Sequence, residues 1–305
     1  MDQKPIVWRI GDVTVTRIVD IEAFSDRPDL LFPGMKPEQV GKIGWLQPHF
    51  ADASGMIHYS IHSFIVESKG KRILIDTCVG NDKKRHLPIF NERKGTYLSQ
   101  LAEADFPAES IDTVLCTHLH VDHVGWNTRL FNDRWVPTFP NARYLFGRIE
   151  LEYWHQKFLS GEAANTESAK ILDAANVMTD SILPIIESNL HTLVETDHQL
   201  TSEVSLLSTP GHTPGHVSVS IRSNGMEAII TGDIFHHPIE LEYPDLDCNF
   251  DADPEAAIKT RRKFLTDQSG RDVLILGTHF SPPTAGRVVQ NGNSWQLDVS
   301  MASIF

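Results

Sequence analysis

Three histidines and one aspartate lie within six positions of this chain, at His118, His120, Asp122 and His123. Imidazole nitrogens and carboxylate oxygens are ligands that zinc accepts in proteins. In a turn, the first two histidines can face one position while Asp122 and His123 face a neighbouring one. This spacing predicts a site for two metal ions side by side. A chance cluster of polar residues in a loop is the alternative, and so dense a group of ligands disfavours it.

Further histidines and carboxylates stand at the ends of other apolar segments. Asp76 ends the run Arg-Ile-Leu-Ile-Asp, and Asp233 lies in Thr-Gly-Asp after Ala-Ile-Ile. His212 and His216 share the motif Thr-Pro-Gly-His-Thr-Pro-Gly-His, and His279 follows Val-Leu-Ile-Leu-Gly-Thr. All five residues can bind metal ions or accept hydrogen bonds from metal ligands.

The segments before these residues have the composition of β-strands. They are short, apolar and rich in β-branched residues, which predicts strands within residues 72–76, 111–117, 204–208, 227–231 and 273–277. Residues 12–20 predict a further strand near a sheet edge, residues 61–76 a hairpin, and residues 143–146 and 217–221 short strands. Because a sheet holds the loops at its strand ends rigidly, such loops can bring distant ligands together.

Helices are predicted between several of these strands. Residues 96–106 carry apolar positions on one face, with Thr96 as the N-cap. Asp253 followed by Pro254 starts a helix that runs to about residue 266. Residues 149–158 and 162–190 have helical composition, with breaks at Gly161 and Pro184.

The whole set of motifs resembles the metallo-β-lactamase fold superfamily. The resemblance rests on His-x-His-x-Asp-His after a strand, together with Asp76, His212, Asp233 and His279 in the expected order, and it runs from about residue 13 to residue 288. It implies an α/β protein with the αββα sandwich of this family, in which two central mixed β-sheets are flanked by helices. We therefore expect a single domain over residues 1–305.

Residues 24–56 form an insertion into this pattern. Prolines and glycines punctuate the stretch, yet Phe32, Trp45 and Phe50 make it too apolar for a disordered linker. An ordered insertion with aromatic residues can serve as a lid over the site or as a dimer contact, and both alternatives stay open. As a lid, these three residues would line a substrate pocket for an acyl chain or an aryl group.

The resemblance implies a dinuclear metal site. Zn²⁺ is the first choice for both ions, and Mn, Fe or Co would also be compatible. The implied ligands are His118, His120 and His212 for the first metal, Asp122, His123 and His279 for the second, and Asp233 as the bridge between them. Asp76 and His216 are expected behind these ligands, where each fixes a loop or a ligand. The alternatives are a plain strand-end cap for Asp76 and a ligand role for His216.

This site suits attack on a carbonyl or phosphoryl centre by a hydroxide that bridges the two metals. In the resembling family, Asp233 would position the nucleophile and Asp122 would pass a proton to the leaving alkoxide. The Thr-Gly-Asp motif resembles the lactonase and organophosphate-hydrolase branch, and Gly-Asp-Ile-Phe-His-His-Pro resembles the methyl-parathion-hydrolase-like group. Homoserine-lactone lactonases commonly carry a tyrosine three residues after the bridging aspartate, where this chain has His236. His236 is therefore expected either to donate to the substrate oxyanion or to have a structural role.

The expected function is opening of lactones or related carboxylic esters, acyl-homoserine lactones among them. The alternative on the same site is hydrolysis of organophosphate triesters or aryl esters. A mononuclear iron dioxygenase for persulfides carries the same histidine motif, and a non-catalytic binding protein is a third class. Metal analysis and oxygen uptake separate the dioxygenase from the hydrolases, since the dioxygenase would contain one iron per chain and consume oxygen.

Composition narrows the partners. The chain has 305 residues, 41% of them hydrophobic, and a net charge of −13. An acidic surface repels phosphate backbones and anionic lipids, so nucleic acid and membranes are not expected partners. The three cysteines are widely spaced, and the amino terminus has no apolar stretch typical of a signal peptide. We expect a cytoplasmic enzyme for a small ester or lactone, and the insertion could mediate a homodimer.

Overall fold

A computed structural model describes residues 5–165 and 172–300, apart from the side chain of Ala23. By its internal contacts the chain divides into two compact units. The first contains Val13–Asp20 and His62–His198, with the start of the chain up to Val7. The second contains Trp8–Asp12, Ile21–Ile61 and the chain from Gln199 onwards. The expectation of one domain with an insertion stays a prediction.

The strands up to residue 194 form a seven-stranded sheet and a separate two-stranded hairpin within the described residues. The strands are β1 (Val7–Ile10), β2 (Val13–Asp26), β3 (Ile57–Ser68), β4 (Lys71–Ile75), β5 (Thr113–Leu115), β6 (Thr128–Phe131), β7 (Arg134–Pro137), β8 (Arg143–Gly147) and β9 (His191–Val194). The sheet order is β1-β2-β3-β4-β5-β8-β9, and β6 pairs with β7. Strands β4, β5, β8 and β9 are parallel neighbours, so their carboxyl ends lie at one edge of the sheet.

The strands after residue 199 form a six-stranded sheet in the second unit. They are β10 (Val204–Ser208), β11 (Val217–Ser223), β12 (Met226–Ile230), β13 (Val273–Leu276), β14 (Ala285–Asn291) and β15 (Ser294–Asp298), in sequential order. Strands β12 and β13 are parallel, with Ile230 opposite Leu276, and the other neighbours are antiparallel. Asp233 and His279 therefore follow the matching ends of two adjacent strands.

Eight α-helices lie within the described residues: α1 (Pro37–Val40), α2 (Tyr97–Glu103), α3 (Arg148–Ser160), α4 (Glu162–Asn165), α5 (Ala174–Val177), α6 (Leu183–Glu187), α7 (Ile239–Glu242) and α8 (Pro254–Gln268). A short π-helical segment, Met178–Ile182, joins α5 to α6. None of the described helices is both long enough and apolar enough to cross a membrane.

Most of the predicted elements are present, and the differences have local causes. Asp253 caps α8 by accepting a hydrogen bond of 3.0 Å from the amide of Ala256. Thr96 stands at the predicted N-cap position of α2, but its hydroxyl accepts from the side chain of Gln100 and makes no capping hydrogen bond with a backbone amide of the helix. The helical stretch predicted at 162–190 is broken into short helices, and residues 166–171 of it lie outside the described residues.

The insertion at 24–56 is built into the core of the second unit. Phe32 and Phe50 are fully buried, in one apolar cluster with Phe235, Phe264 and Phe280. Burying a large apolar side chain contributes roughly 1.5–3 kcal/mol, so these two rings anchor the segment strongly. The predicted contact of Phe32 and Phe50 with substrate stays a prediction. The complete burial of both rings does not favour it.

Trp45 differs from these two rings, because it is only partly buried and packs against the outside of the cluster. Its indole nitrogen donates to a carboxylate oxygen of Glu242 over 3.3 Å. That hydrogen bond ties the insertion to α7, and the predicted contact of Trp45 with substrate stays a prediction.

Candidate metal centre

The first unit carries the histidine loop that follows β5. The side chains of His118, His120 and His123 are all buried, and Asp122 is partly exposed. The ring centroid of His118 lies 4.5 Å from that of His120 and 4.0 Å from that of His123. A carboxylate oxygen of Asp122 lies 3.7 Å from Nε2 of His123. Three protonated imidazoles this close would repel one another, so the loop suits neutral imidazoles, the form that binds a metal ion.

Asp76 holds this loop from the end of β4. Its buried carboxylate accepts from the amide of Thr117 over 2.7 Å and from the Thr117 hydroxyl over 2.9 Å. It also contacts Nδ1 of His123 at 2.9 Å. Because a carboxylate can only accept, Nδ1 of His123 carries the proton and Nε2 keeps its lone pair. Asp76 thus sets both the path of the loop and the tautomer of one histidine.

A close backbone crossing completes the support of the loop. The amide of Gly125 donates to the carbonyl of Cys78 over 2.7 Å, and the amide of Thr77 donates to the carbonyl of His123 over 2.7 Å. A Cβ atom on Gly125 would lie 1.8 Å from the carbonyl oxygen of Val79, closer than any real contact. Only glycine therefore allows the two chain segments to approach this closely.

Glu150 on α3, which was not predicted from the sequence, supports the histidine loop from behind. Its buried carboxylate oxygen Oε1 accepts from the amide of Leu119 over 3.0 Å and from the indole nitrogen of Trp154 over 2.8 Å. The Trp154 ring in turn packs edge-on against the imidazole of His120, with centroids 5.4 Å apart. An acid and a tryptophan one helical turn apart were the only signal in the sequence, and the same pattern is common on solvated helices.

We expect Glu150→Ala to cost about 2–5 kcal/mol of stability, since it leaves two buried N–H donors without an acceptor. The same change should weaken zinc binding by roughly 10–100-fold, as losses of support behind ligands do. Urea unfolding and chelator competition measure the two effects. Glu150→Gln keeps an oxygen acceptor and should lose less, and Glu152→Ala, on the exposed side of α3, is the control. An Ala variant equal to the control in both measurements would contradict this role.

The second unit carries a compact set of ligands around Asp233. One carboxylate oxygen of Asp233 lies 3.6 Å from Nε2 of His212 and 3.6 Å from Nε2 of His236. The other oxygen lies 3.2 Å from Nε2 of His279. Zinc bonds of about 2.0–2.2 Å in tetrahedral geometry separate neighbouring ligand atoms by roughly 3.4 Å. The spacing and the chemistry of these donors therefore fit a bound divalent cation, and His212, Asp233 and His236 together form a candidate group for one.

Hydrogen bonds orient the histidines of this set. Nδ1 of His212 contacts a carboxylate oxygen of Asp251 at 2.8 Å, and Nδ1 of His279 contacts the carbonyl of Ser60 at 3.1 Å. Both acceptors require a proton on Nδ1, which leaves each Nε2 with its lone pair facing Asp233. Asp251 was not among the predicted site residues, although it lies two residues before Asp253, where a helix was predicted to start.

His216 lies behind Asp233. Its Nε2 accepts from the amide of Asp233 over 2.8 Å, and its Nδ1 contacts the carbonyl of Thr209 at 3.0 Å. Both ring nitrogens are thus used in hydrogen bonds with the backbone, which disfavours the ligand alternative. Gly232 has φ +55°, and a Cβ atom there would lie 2.5 Å from Nε2 of His216. Glycine is required to let this histidine reach the Asp233 amide.

His236 and His237 occupy different environments. Nε2 of His236 lies 3.7 Å from the sulfur of Cys248, in addition to its approach to Asp233. His237 donates from Nε2 to the carbonyl of Phe50 over 2.7 Å and accepts on Nδ1 from the amide of Ile239 over 3.1 Å. Burial lowers the pKa of His237 to about 4, so it is neutral and structural, and it ties the insertion to the Asp233 loop.

The chain matches the model of the Metallo-beta-lactamase superfamily over residues 58–279. Curated relatives include N-acyl homoserine lactonase AiiA of Bacillus thuringiensis subsp. kurstaki, 22% identical over 187 residues, which are 57% of this chain and 63% of that protein. An N-acyl homoserine lactonase of a Bacillus species is 24% identical over 180 residues, 55% of this chain and 60% of that protein. The chain thus spans less than two thirds of the length of these relatives.

Solved structures match over nearly the full length. One is a hydrolase of the beta-lactamase superfamily, AbOPH, with a TM-score of 0.80 and 25% identity over 98% of each chain. Another is AidC, a dizinc quorum-quenching lactonase in complex with a product, with a TM-score of 0.77 and 24% identity over 96% of each chain. These likenesses confirm the predicted α/β fold class, with mixed sheets flanked by helices. With a family model that covers more than half of it, this chain belongs to the metallo-β-lactamase superfamily.

Proposed function

We propose that this protein is a metal-dependent hydrolase that opens lactones or related carboxylic esters. The observation that carries the proposal is the geometry around Asp233, whose carboxylate faces three imidazole nitrogens at 3.2–3.6 Å. In both His212 and His279, Nδ1 contacts a protein acceptor, which turns Nε2 towards Asp233. Histidines oriented in this way can bind a cation, and the orientation has no evident use without one.

We further propose that the protein holds two metal ions, with Zn²⁺ as the first choice. The proposed assignment is His118, His120 and His212 for one ion, Asp122, His123 and His279 for the other, and Asp233 for both. Two observations support this assignment. The residues occur in the expected order in a chain that belongs to the superfamily, and hydrogen bonds orient a histidine of each ligand set within its own unit. Bound divalent ions would supply Lewis-acid polarisation of the substrate and lower the pKa of a water molecule.

The protein's own residues then have separate tasks. Five histidines give neutral donors, and only Asp122 and Asp233 bring negative charge, so the site stays strongly electrophilic. Asp122 is the most exposed of the proposed ligands, with 19% of its side chain accessible, and is the group best placed to pass a proton to the leaving alkoxide. His236 lies beside Asp233 and is our proposed donor to the substrate carbonyl oxygen.

The lactone class is favoured by two observations. The curated relatives are named N-acyl homoserine lactonases, and one structural neighbour is a dizinc lactonase. The Thr-Gly-Asp motif that carries Asp233 also resembles the lactonase and organophosphate-hydrolase branch. The departure at His236, where homoserine-lactone lactonases commonly carry tyrosine, leaves the acyl-homoserine ring as one candidate within a wider class of lactones and esters.

A substrate panel on metal-analysed protein tests this proposal. It comprises γ- and δ-lactones with and without an acyl-amino group, aryl esters, an organophosphate triester and a β-lactam, with the acid released followed by pH-stat titration. We expect turnover of at least one lactone, loss of that turnover on chelation and its return with Zn²⁺. Turnover of triesters alone would reverse the ranking, and one iron per chain with oxygen uptake on a persulfide would overturn hydrolysis altogether.

A further inference from the structure

We propose that Arg261 is a positioning residue for the metal centre, acting through Asp251 on His212 and through Glu240 on the loop that carries Asp233 and His236. The inference rests on the proposed function only in taking His212 and Asp233 as metal ligands. It concerns a guanidinium on α8 that touches none of the proposed ligand side chains and for which no role was predicted from the sequence.

Arg261 is almost completely buried, with 1% of its surface exposed. Its Nε donates to the carbonyl of Ile234 over 3.2 Å, and its Nη1 donates to the carbonyls of Pro244 and Leu246 over 3.1 and 2.8 Å. Burying a charge costs several kcal/mol unless it is paired and hydrogen-bonded, so a site this well supplied with acceptors is built for the guanidinium. An ammonium group has no comparable planar fork of donors.

One branch from Arg261 leads to His212. Nη2 of Arg261 lies 3.7 Å from one carboxylate oxygen of Asp251. The other carboxylate oxygen of Asp251 contacts Nδ1 of His212 at 2.8 Å. The nearby guanidinium attracts this carboxylate and limits its rotation, which keeps the oxygen that contacts Nδ1 of His212 in place and leaves Nε2 presented towards Asp233.

The second branch leads to the loop after β12. Nη2 of Arg261 lies 2.7 Å from Oε1 of Glu240, which is fully buried on α7. Oε2 of the same carboxylate accepts from the amides of His236 and His237 over 2.6 and 3.0 Å. Since Arg261 also binds the carbonyl of Ile234, it fixes this loop on both sides of His236. Its position therefore determines where Asp233 and His236 stand relative to His212.

Two buried carboxylates share the guanidinium of Arg261. Its Nη2 stands between Glu240 and Asp251, and the imidazole of His236 lies beside Glu240, with Nδ1 3.8 Å from Oε2. Without the arginine, each carboxylate would lose this buried cationic partner and be released from its present orientation.

Zinc affinity and a cobalt spectrum test the inference apart from catalysis. The variants are Arg261→Lys and Arg261→Met, with Asp251→Asn to interrupt the branch to His212 only. Arg262→Met is the matched control, because the neighbouring guanidinium is exposed and pairs with the exposed Asp245. Chelator competition measures zinc affinity, and the visible absorption of Co²⁺-substituted protein reports the ligand geometry. Circular dichroism and urea unfolding establish that each variant is folded.

We expect folded Arg261→Lys and Asp251→Asn to bind zinc about 10–100-fold more weakly, with an altered cobalt spectrum, while the control equals the wild type. A purely structural arginine predicts lower stability of Arg261→Lys with unchanged zinc affinity and cobalt spectrum, and that result overturns the inference. If Arg261→Met does not fold, the other two variants decide. Zinc binding by the wild type without turnover on any substrate would reject the proposed function alone, and a wild type that binds neither metal would reject both.

Discussion

Asp233→Asn is expected to lower lactone turnover by about 10³-fold or more, the loss that corresponds to several kcal/mol of transition-state stabilisation. Asparagine keeps the size of the side chain but removes the negative charge that faces His212, His236 and His279 at 3.2–3.6 Å. A neutral amide binds zinc poorly, and its NH₂ group would face imidazole nitrogens and compete with the metal. Turnover and zinc content of the purified variant, measured together, check the prediction.

The control for this variant is Asp247→Asn, an exposed aspartate of the same unit that contacts no candidate ligand. We expect it to retain both activity and the full zinc content. An Asp233→Asn protein that holds two zinc ions and turns over at the wild-type rate would remove Asp233 from the proposed centre. Partial loss of zinc with full loss of turnover would instead show that Asp233 acts mainly by positioning the nucleophile, and would leave its assignment as a metal ligand intact.

The second large effect is expected for Asp76→Ala, at about 3–5 kcal/mol of lost stability in the metal-free protein. The alanine leaves the amide and hydroxyl of Thr117 and Nδ1 of His123 without their buried acceptor. Desolvated donors without partners are costly, and the charge-assisted bonds that are lost are the strong ones. Urea unfolding in the presence of chelator measures this cost without any contribution from bound metal.

Asp76→Asn separates the stability role of Asp76 from its effect on His123. Asparagine keeps one oxygen acceptor for the Thr117 amide, but its NH₂ group cannot accept the Nδ1 proton of His123. We expect this variant to fold with a smaller loss of stability and to bind zinc roughly 10–100-fold more weakly. Glu103→Ala, at the exposed end of α2, serves as the control. Wild-type zinc affinity in Asp76→Asn would show that the tautomer of His123 does not depend on this carboxylate.

The candidate ligands themselves could be predicted from the sequence. His118, His120, Asp122 and His123 are crowded into one loop, and a strand of β-branched residues precedes it, as the short β5 confirms. Asp233 and His279 also follow predicted strands, and β12 and β13 lie side by side in parallel. Local composition determines such features, because alternation, caps and strand ends depend on neighbouring residues.

Strands without a strong local signature were missed. The sequence did not predict the hairpins β6–β7 and β14–β15, nor β1 and β9 at the edges of their sheet. Several of these carry charged or partly exposed residues, and a strand of that kind is stabilised by its partner more than by its own composition. The insertion shows the same limit. Its aromatic residues predicted order, but only the fold buries Phe32 and Phe50 against Phe235 and Phe280.

The sequence by itself determined which residues can bind metal and the family in which their order occurs. Only the tertiary structure decided how those residues are held, through Glu150 behind Leu119, Asp251 behind His212, and Arg261 between Asp251 and Glu240. The physical reason lies in the range of the interactions. A ligand type and its spacing are local properties, whereas a buried carboxylate or guanidinium acquires its role from partners elsewhere in the chain, such as His212 for Asp251, 39 residues away, and Leu119 for Glu150, 31 residues away.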